Sequence, residues 1–400
     1  MASSEPNPRW FHPTPGHFLV LLLAVEATLF LSEQWFPKGW AVLIAVAAVG
    51  VFLIGMLLWF VLALLFRWRF QFSIRSLLLL TVAVAIPFSW LAVEVKRARE
   101  QREAVEAIGT LGGRTGFGRE ECDLSGKVKL PVPLWLRNVL GDDFFLSIQS
   151  VSFRGTQVRD EDIACLRQDF NSLPKLRCLE LRNTNITDNG LQYLYNAKSL
   201  DFLAVCHSGI TNDGLKHLNL FPLLRSLEIN DLPITDEGLD LVCNFPNIQE
   251  LGMGETRITG QGLRHLARLP RLKYLNVQNN QLSDEDIRCL RDVKSLERLY
   301  ISFNAITDGG MEYLTLLNLK ELDIAGTKVT DIGLKKLEGM NDLQRLSLQG
   351  LQITDVGLAH LVKMTHLSEL LLDGSLDNPW ITNAGVAKLQ KALPNCTIQH

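Results

Sequence analysis

The chain has 400 residues, 40 Lys+Arg against 43 Asp+Glu, and 47% hydrophobic residues. That length exceeds a single compact core, and the apolar share is high for a chain that stays wholly in water, so membrane-spanning segments are expected. The net charge of −3 divides into +3 over residues 1–114 (10 basic, 7 acidic) and −6 over the rest (30 basic, 36 acidic), and neither balance is the clustered basic face of a nucleic-acid binder.

The membrane segments come first in the chain. Residues 40–66 are a run of 27 without a charge, longer than the ~20 needed to cross a bilayer. Residues 76–93 add 18 uncharged positions, closed by Arg75 before them and by Glu94, Lys96, Arg97 and Arg99 after them. Pro87 lies within this run, which a membrane helix tolerates. The earliest stretch is weaker, but extended over 17–35 it makes a first span, so three are expected. It carries Glu26. An intramembrane carboxylate is a functional-site hypothesis by default, and a lone one with no basic partner in the other spans equally reads as protonated against a neighbouring helix. A cleavable signal is not expected, because Trp35-Phe36-Pro37 stands where small residues would have to be. With three spans, Arg9, Arg67, Arg69 and Arg75 lie on one side and Lys38, Lys96, Arg97, Arg99 and Arg102 on the other, a balance that fixes no orientation.

Residues 96–145 read as a helical connector and cap. Glu94 to Leu111 is charged and helical in character, stopped by Gly112-Gly113. Gly112, Gly113, Gly116 and Gly118 lack the Lys-Ser/Thr of a phosphate loop. Leu134, Trp135, Leu136, Val139 and Leu140 are expected to cover the open end of a repeat array that begins at residue 146.

From residue 146 to 400 the chain repeats itself. The line L-x-x-L-x-L-x-x-T/S/N-x-I/L/V-T/S-D/N-x-G-L-x-x-L recurs about ten times, the apolar residue before its Thr/Ser step falling at Val158, Ile186, Ile210, Ile234, Ile258, Leu282, Ile306, Val329, Ile353 and Ile381. The steps are 28, 24, 24, 24, 24, 24, 23, 24 and 28 residues, and a fixed period in the twenties means a solenoid. L-x-L suits a short strand with its leucines inward. In Ile234-Thr235-Asp236-Glu237-Gly238-Leu239, the Thr or Asp can cap a short helix whose Leu239 and Val242 point inward. Stacked at roughly 4.7–4.9 Å, ten such strands make a parallel sheet of about 45 Å with helices on its other side: an α/β solenoid, sheet concave and helices convex, behind an α-helical transmembrane region.

On these residues the chain resembles leucine-rich-repeat proteins of the cysteine-containing subtype, the type of F-box-associated repeats and of membrane-anchored bacterial repeat proteins. The stretch from Arg69-Phe70 through Arg75 and the adjoining apolar run is similar to the single-span anchor of the bacterial proteins. The resemblance implies a multi-pass protein of a bacterial inner membrane, with Arg67, Arg69 and Arg75 cytoplasmic and the repeats beyond the membrane. Two extra spans upstream depart from the single-span pattern but keep that orientation.

No catalytic constellation is expected. Asp188, Asp236, Asp284, Asp308, Asp331 and Asp355 recur at one capping position, and the eight histidines fall singly with no nucleophile beside them. Of the seven cysteines, Cys165, Cys243 and Cys289 sit at or near inward helix positions, and Cys206-His207 and Cys122 lack zinc spacing, so neither metal nor cofactor is expected. The strand positions beside the inward leucines carry no core duty. There Tyr274, Arg298 and Tyr300, with Phe303, form an aromatic group beside an acidic one of Glu228, Glu250 and Glu255. Exposed aromatics flanked by charge are typical of interface hot spots. The expected role is a membrane-anchored module that binds a protein partner, with no nucleic acid and no small-molecule substrate. The alternative is a structural or adhesive envelope component that self-associates. An enzyme or transporter ranks third.

Overall fold

The computed structural model describes residues 15–31, 36, 38–65, 74–117, 132–372 and 380–400. Arg9, Trp35, Arg67, Arg69, Gly118 and Cys122 lie outside the described residues. The chain divides into two compact units, 1–104 with 117–147, and 105–116 with 148–400.

The first unit contains α1 (Pro15–Leu31, 17 residues), α2 (Trp40–Leu65, 26 residues), most of α3 (Ile74–Thr110, 37 residues) and α4 (Leu134–Leu140). Among the described residues, two helices are long and apolar enough to cross a membrane, over Trp40–Leu58 and Leu77–Thr110. Of the first expected span, 17–35, the structure describes α1 as far as Leu31, 17 residues or roughly 25 Å at about 1.5 Å each, and Ser32 to Trp35 lie outside the described residues. α3 runs unbroken from the apolar segment into the charged stretch expected to begin the connector, with Pro87 inside.

Leu19 and Leu22 pack with Val49 and Ala83, joining the three long helices. A second cluster joins Val42 and Ala98 to Phe144 and Phe145, and Leu136 and Leu140 of α4 pack against it. Leu134, Trp135 and Val139, expected to be cap residues, are 73%, 66% and 74% exposed. Lys38 stands at the entry to α2, where its Nζ donates to Asp143 O at 2.8 Å, Leu146 O at 2.5 Å and Gln101 Oε1 at 3.2 Å. Its charge is therefore committed to the fold of this unit.

The second unit is the repeat array. Its strands are β1 (Arg114–Phe117), β2 (Ile148–Ser152), β3 (Cys178–Glu180), β4 (Phe202–Ala204), β5 (Ser226–Glu228), β6 (Glu250–Gly252), β7 (Tyr274–Asn276), β8 (Arg298–Tyr300), β9 (Glu321–Asp323), β10 (Arg345–Ser347), β11 (Glu369–Leu371) and β12 (Thr397–Gln399). They form one sheet in chain order, and β2 to β12 pair in parallel with the middle residues in register, as Leu251 with Leu275 and Leu275 with Leu299. Those leucines are 0% exposed, as are Leu179, Leu203, Leu227 and Leu370. A single repeat could not bury them; its neighbours do.

On the other side of the core the repeats are joined by carboxylates. The recurrent aspartates are expected to cap their own helices, but a Thr holds the N-cap position before Asp188, Asp331 and Asp355, and the carboxylates turn to the next repeat. Asp160, Asp188, Asp236, Asp284, Asp308, Asp331 and Asp355 each reach the Thr of the next repeat, accepting its backbone N–H at 2.7–2.9 Å and its hydroxyl at 2.5–2.8 Å. The Thr hydroxyl in turn caps the helix after it: Thr354 Oγ1 accepts from Val356 N at 3.1 Å. Asn212 replaces Asp once and keeps the contact, accepting from Thr235 N at 3.1 Å and donating to its hydroxyl at 2.7 Å. Where Gly260 occupies the Asp position, Ser283 receives nothing from behind; Asp286 of its own repeat bonds Ser283 N at 2.8 Å and Gly260 N at 3.1 Å instead.

The glycine of Thr-Asp-x-Gly exists to admit that carboxylate. A Cβ at Gly357 would lie 2.2 Å from Asp331 Oδ1, whereas one at Gly339 would meet nothing within 4 Å. Gly357→Ala is therefore expected to destabilise the repeat array by about 1–3 kcal/mol, and Gly339→Ala to leave it unchanged or raise it by about 0.4–1 kcal/mol. Thermal unfolding of the two full-length variants checks this, and equal midpoints would contradict it.

Candidate functional site

Strand pleating sends the middle leucine of each strand inward and its two neighbours to the sheet's open face. The register then lays those neighbours in two rows. One row runs Phe202, Ser226, Glu250, Tyr274, Arg298, Glu321, Arg345, Glu369; the other runs Ala204, Glu228, Gly252, Asn276, Tyr300, Asp323, Ser347, Leu371.

At the centre, Tyr274 and Tyr300 pack with ring centroids 5.3 Å apart at 51°. The Arg298 guanidinium lies 4.8 Å over the Tyr274 ring, a cation–π contact. Arg298 Nη2 continues past that ring to Glu250 Oε1 at 2.6 Å, and Glu250 Oε2 accepts from Ser226 Oγ at 3.1 Å. On the other flank Tyr300 donates to Glu321 Oε2 at 2.8 Å. Arg345 then links Glu321, 3.7 Å away, to Glu369 at 2.8 Å. A strip of alternating charge thus runs from β6 to β11 around two tyrosines. Burial, then the bond to Glu321, pushes the Tyr300 phenol well above its ordinary range; burial and Glu228 raise Tyr274. Both phenols stay neutral, able to donate as well as accept.

Of the residues singled out in the sequence, Tyr274, Arg298 and Tyr300 converge, and Glu250 joins them. The acidic group does not form as expected. Glu228 is held by Arg182 at 2.7 Å and Glu250 by Arg298, so neither is a free negative charge. Glu255 and Phe303 belong to a third column just beyond the strands, Asn183, His207, Asp231, Glu255, Asn279 and Phe303, all left-handed at φ 50–56°. Phe303 is 64% exposed, and its ring lies over Gly326, where a Cβ would come within 2.5 Å of it. A bulky residue in that conformation is an outlier. Glu321, Arg345 and Glu369, which extend the strip, were not singled out; their alternating signs in one strand row were the available signal.

Between Tyr300, Glu321, Arg345 and Ser347 lies a cavity of about 140 Å³. That is below the roughly 300–1,000 Å³ of a small-molecule site and suits one side chain of a partner. Among the described residues no group of three or more His, Cys, Asp or Glu could hold a metal ion. Cys206, Cys243 and Cys396 are buried, and burial pushes the thiols of Cys178, Cys243 and Cys289 up to about 11. Cys165 is exposed rather than inward.

The model of the Leucine Rich repeat family matches residues 172–194, 269–290, 294–314 and 315–337. No curated protein matches. The fold is similar to that of an internalin from Listeria monocytogenes (19% identity, 66% of this chain, 92% of that one, TM-score 0.44). It is also similar to internalin C2 from the same organism (23%, 57% of this chain, 86% of that one, TM-score 0.36) and to the PEPR1–AtPEP1 structure (16%, 70% of this chain, 35% of that one, TM-score 0.35). The chain carries leucine-rich repeats and folds as a solenoid of them.

Just before the strands, Glu297 sits between Lys273 Nζ at 2.9 Å and Lys320 Nζ at 2.7 Å. The bonds from Lys320 and Lys273 lower its pKa from 4.5 to about 2. A depressed carboxylate stabilises the fold fully above its unfolded value and loses that contribution as pH falls through its folded value. Glu297→Gln is therefore expected to flatten the fall in thermal midpoint between pH 4.5 and about 2 while changing little at neutral pH. Parallel wild-type and variant curves across that window would show the pair contributes nothing.

Proposed function

We propose that this chain is a membrane-anchored interaction module, in which residues 1–95 anchor the protein, 96–145 connect, and the repeats of 146–400 present the open face of their sheet to a protein partner. The observation that carries this reading is the Tyr274–Arg298–Tyr300 cluster: two rings and a guanidinium ordered by their neighbours, with no core duty, on a face of parallel strands. Aromatics and arginine held rigidly at the middle of a surface are what a hot spot requires, because little side-chain entropy remains to be lost on binding. Glu228, Glu250, Glu255 and Phe303 would form the rim. Anchoring is supported by the two apolar helices, and placement of the repeats outside a bacterial inner membrane follows the family resemblance alone. No step of this role calls on catalysis, a metal or a cofactor.

The test begins with crosslinked capture from membranes to identify the partner, followed by affinity measurement in detergent. Tyr274→Ala/Tyr300→Ala is expected to weaken the complex by about 2 kcal/mol or more, roughly 30-fold in Kd, with unchanged circular dichroism. Full affinity in the folded double variant would move the site away from this cluster. A chain that self-associates across a concentration series and captures nothing else would favour the structural, adhesive reading.

A further inference from the structure

The helical unit contains an acid that its own fold does not use. Glu26 in α1 is 4% exposed, and neither carboxylate oxygen has a hydrogen-bond partner among the described residues. It lines a cavity of about 410 Å³ together with Phe30, Ser89, Trp90 and Arg97. Phe30 and Trp90 meet edge to face with centroids 5.5 Å apart. Arg97 is anchored by Nη1 to Glu94 Oε1 at 2.5 Å, and its side chain is otherwise 64% exposed. A buried carboxylate without a partner costs several kcal/mol unless it is neutralised. A proton would neutralise it, but would not account for the two rings and the guanidinium that share its cavity.

Those groups have a common complement. A carboxylate beside aromatic rings recognises an ammonium group, and an exposed guanidinium recognises a phosphate. Both oxygens of Glu26 need N–H donors, which a primary ammonium has and a trimethylammonium lacks. Glu94, Lys96 and Arg97 are the first charges after the apolar run 76–93, so this end of the cavity lies where an apolar core gives way to headgroups. The cavity volume is in the range that accepts a small ligand.

We propose that this cavity binds the phosphoethanolamine headgroup of a zwitterionic phospholipid, with Glu26 accepting from the ammonium, Phe30 and Trp90 walling it and Arg97 donating to the phosphate. The proposal rests on the membrane reading of α2 and α3. The test is native mass spectrometry of the full-length chain in detergent, with phosphatidylethanolamine, phosphatidylcholine and phosphatidylglycerol of identical acyl chains. Phosphatidylethanolamine is expected to be retained about tenfold over either competitor, and Glu26→Gln to abolish that preference while helicity and melting stay unchanged. Equal retention of the three lipids by the wild-type chain would overturn the proposal, as would an undiminished preference in Glu26→Gln. Displacement of the lipid by equimolar O-phosphoethanolamine would assign the site to a free solute and overturn the lipid source. Alkaline carbonate extraction separates the two readings: a chain released from membranes sinks both, and one that stays without lipid preference sinks only this one.

Discussion

A carboxylate of one repeat holding the threonine of the next is the contact on which the repeat array depends. It joins consecutive turns outside the main strands, beside isolated backbone bridges such as Thr187 with Gly209 and Thr330 with Gln352. Each Asp satisfies a backbone N–H that helix geometry leaves without a partner and holds the Thr hydroxyl, which at Thr211, Thr259, Thr330, Thr354 and Thr382 also caps the next helix. Position in the sequence is set by this geometry. The Thr must precede the Asp and the glycine must leave room for the previous repeat's carboxylate, and the contact persists across the two longer repeats, where Asp160 and Asp355 reach a Thr 27 residues on. The exception at Gly260 makes the same point: Asp286 occupies the glycine position of its own repeat only where no carboxylate arrives from behind.

With the leucines buried on one side and the aspartates locking the other, the open face of the sheet is left free to vary. Its rows hold charges of both signs, two tyrosines, and small residues such as Ala204, Gly252 and Ser347. Most of the charges are already spoken for by neighbours one or two strands away. The face is therefore an ordered surface, and a partner would meet rings and hydrogen-bonding groups that have little conformational freedom left to lose.

Much of this was legible in the sequence. The period gave the solenoid, the L-x-L run gave the strands, and parallel register placed Tyr274 beside Arg298. What escaped did so for physical reasons. A Thr-Asp-x-Gly run is the signature of a helix cap, and nothing local says that the carboxylate turns to the next repeat. Arg298 meets Glu250 48 residues away by stepping over Tyr274, a contact that no neighbouring-strand argument supplies. Phe303 and Glu255 sit past the strands, where the chain turns left-handed, and so stand in a column of their own outside the rows of Tyr274 and Tyr300. In the helical unit, hydropathy located the apolar segments but not that Leu136 and Leu140 pack on Val42 and Ala98.

The coupling between repeats is measured most directly by a double-mutant cycle on Asp331 and Thr354, which contact each other at 2.8 Å through the backbone and 2.7 Å through the hydroxyl. Full-length Asp331→Ala, Thr354→Val and the double variant would be unfolded by urea alongside the wild-type chain. A favourable interaction energy within about 0.5–3 kcal/mol is expected. Additivity within about 0.3–0.5 kcal/mol would contradict the claim that these carboxylates hold the repeats together.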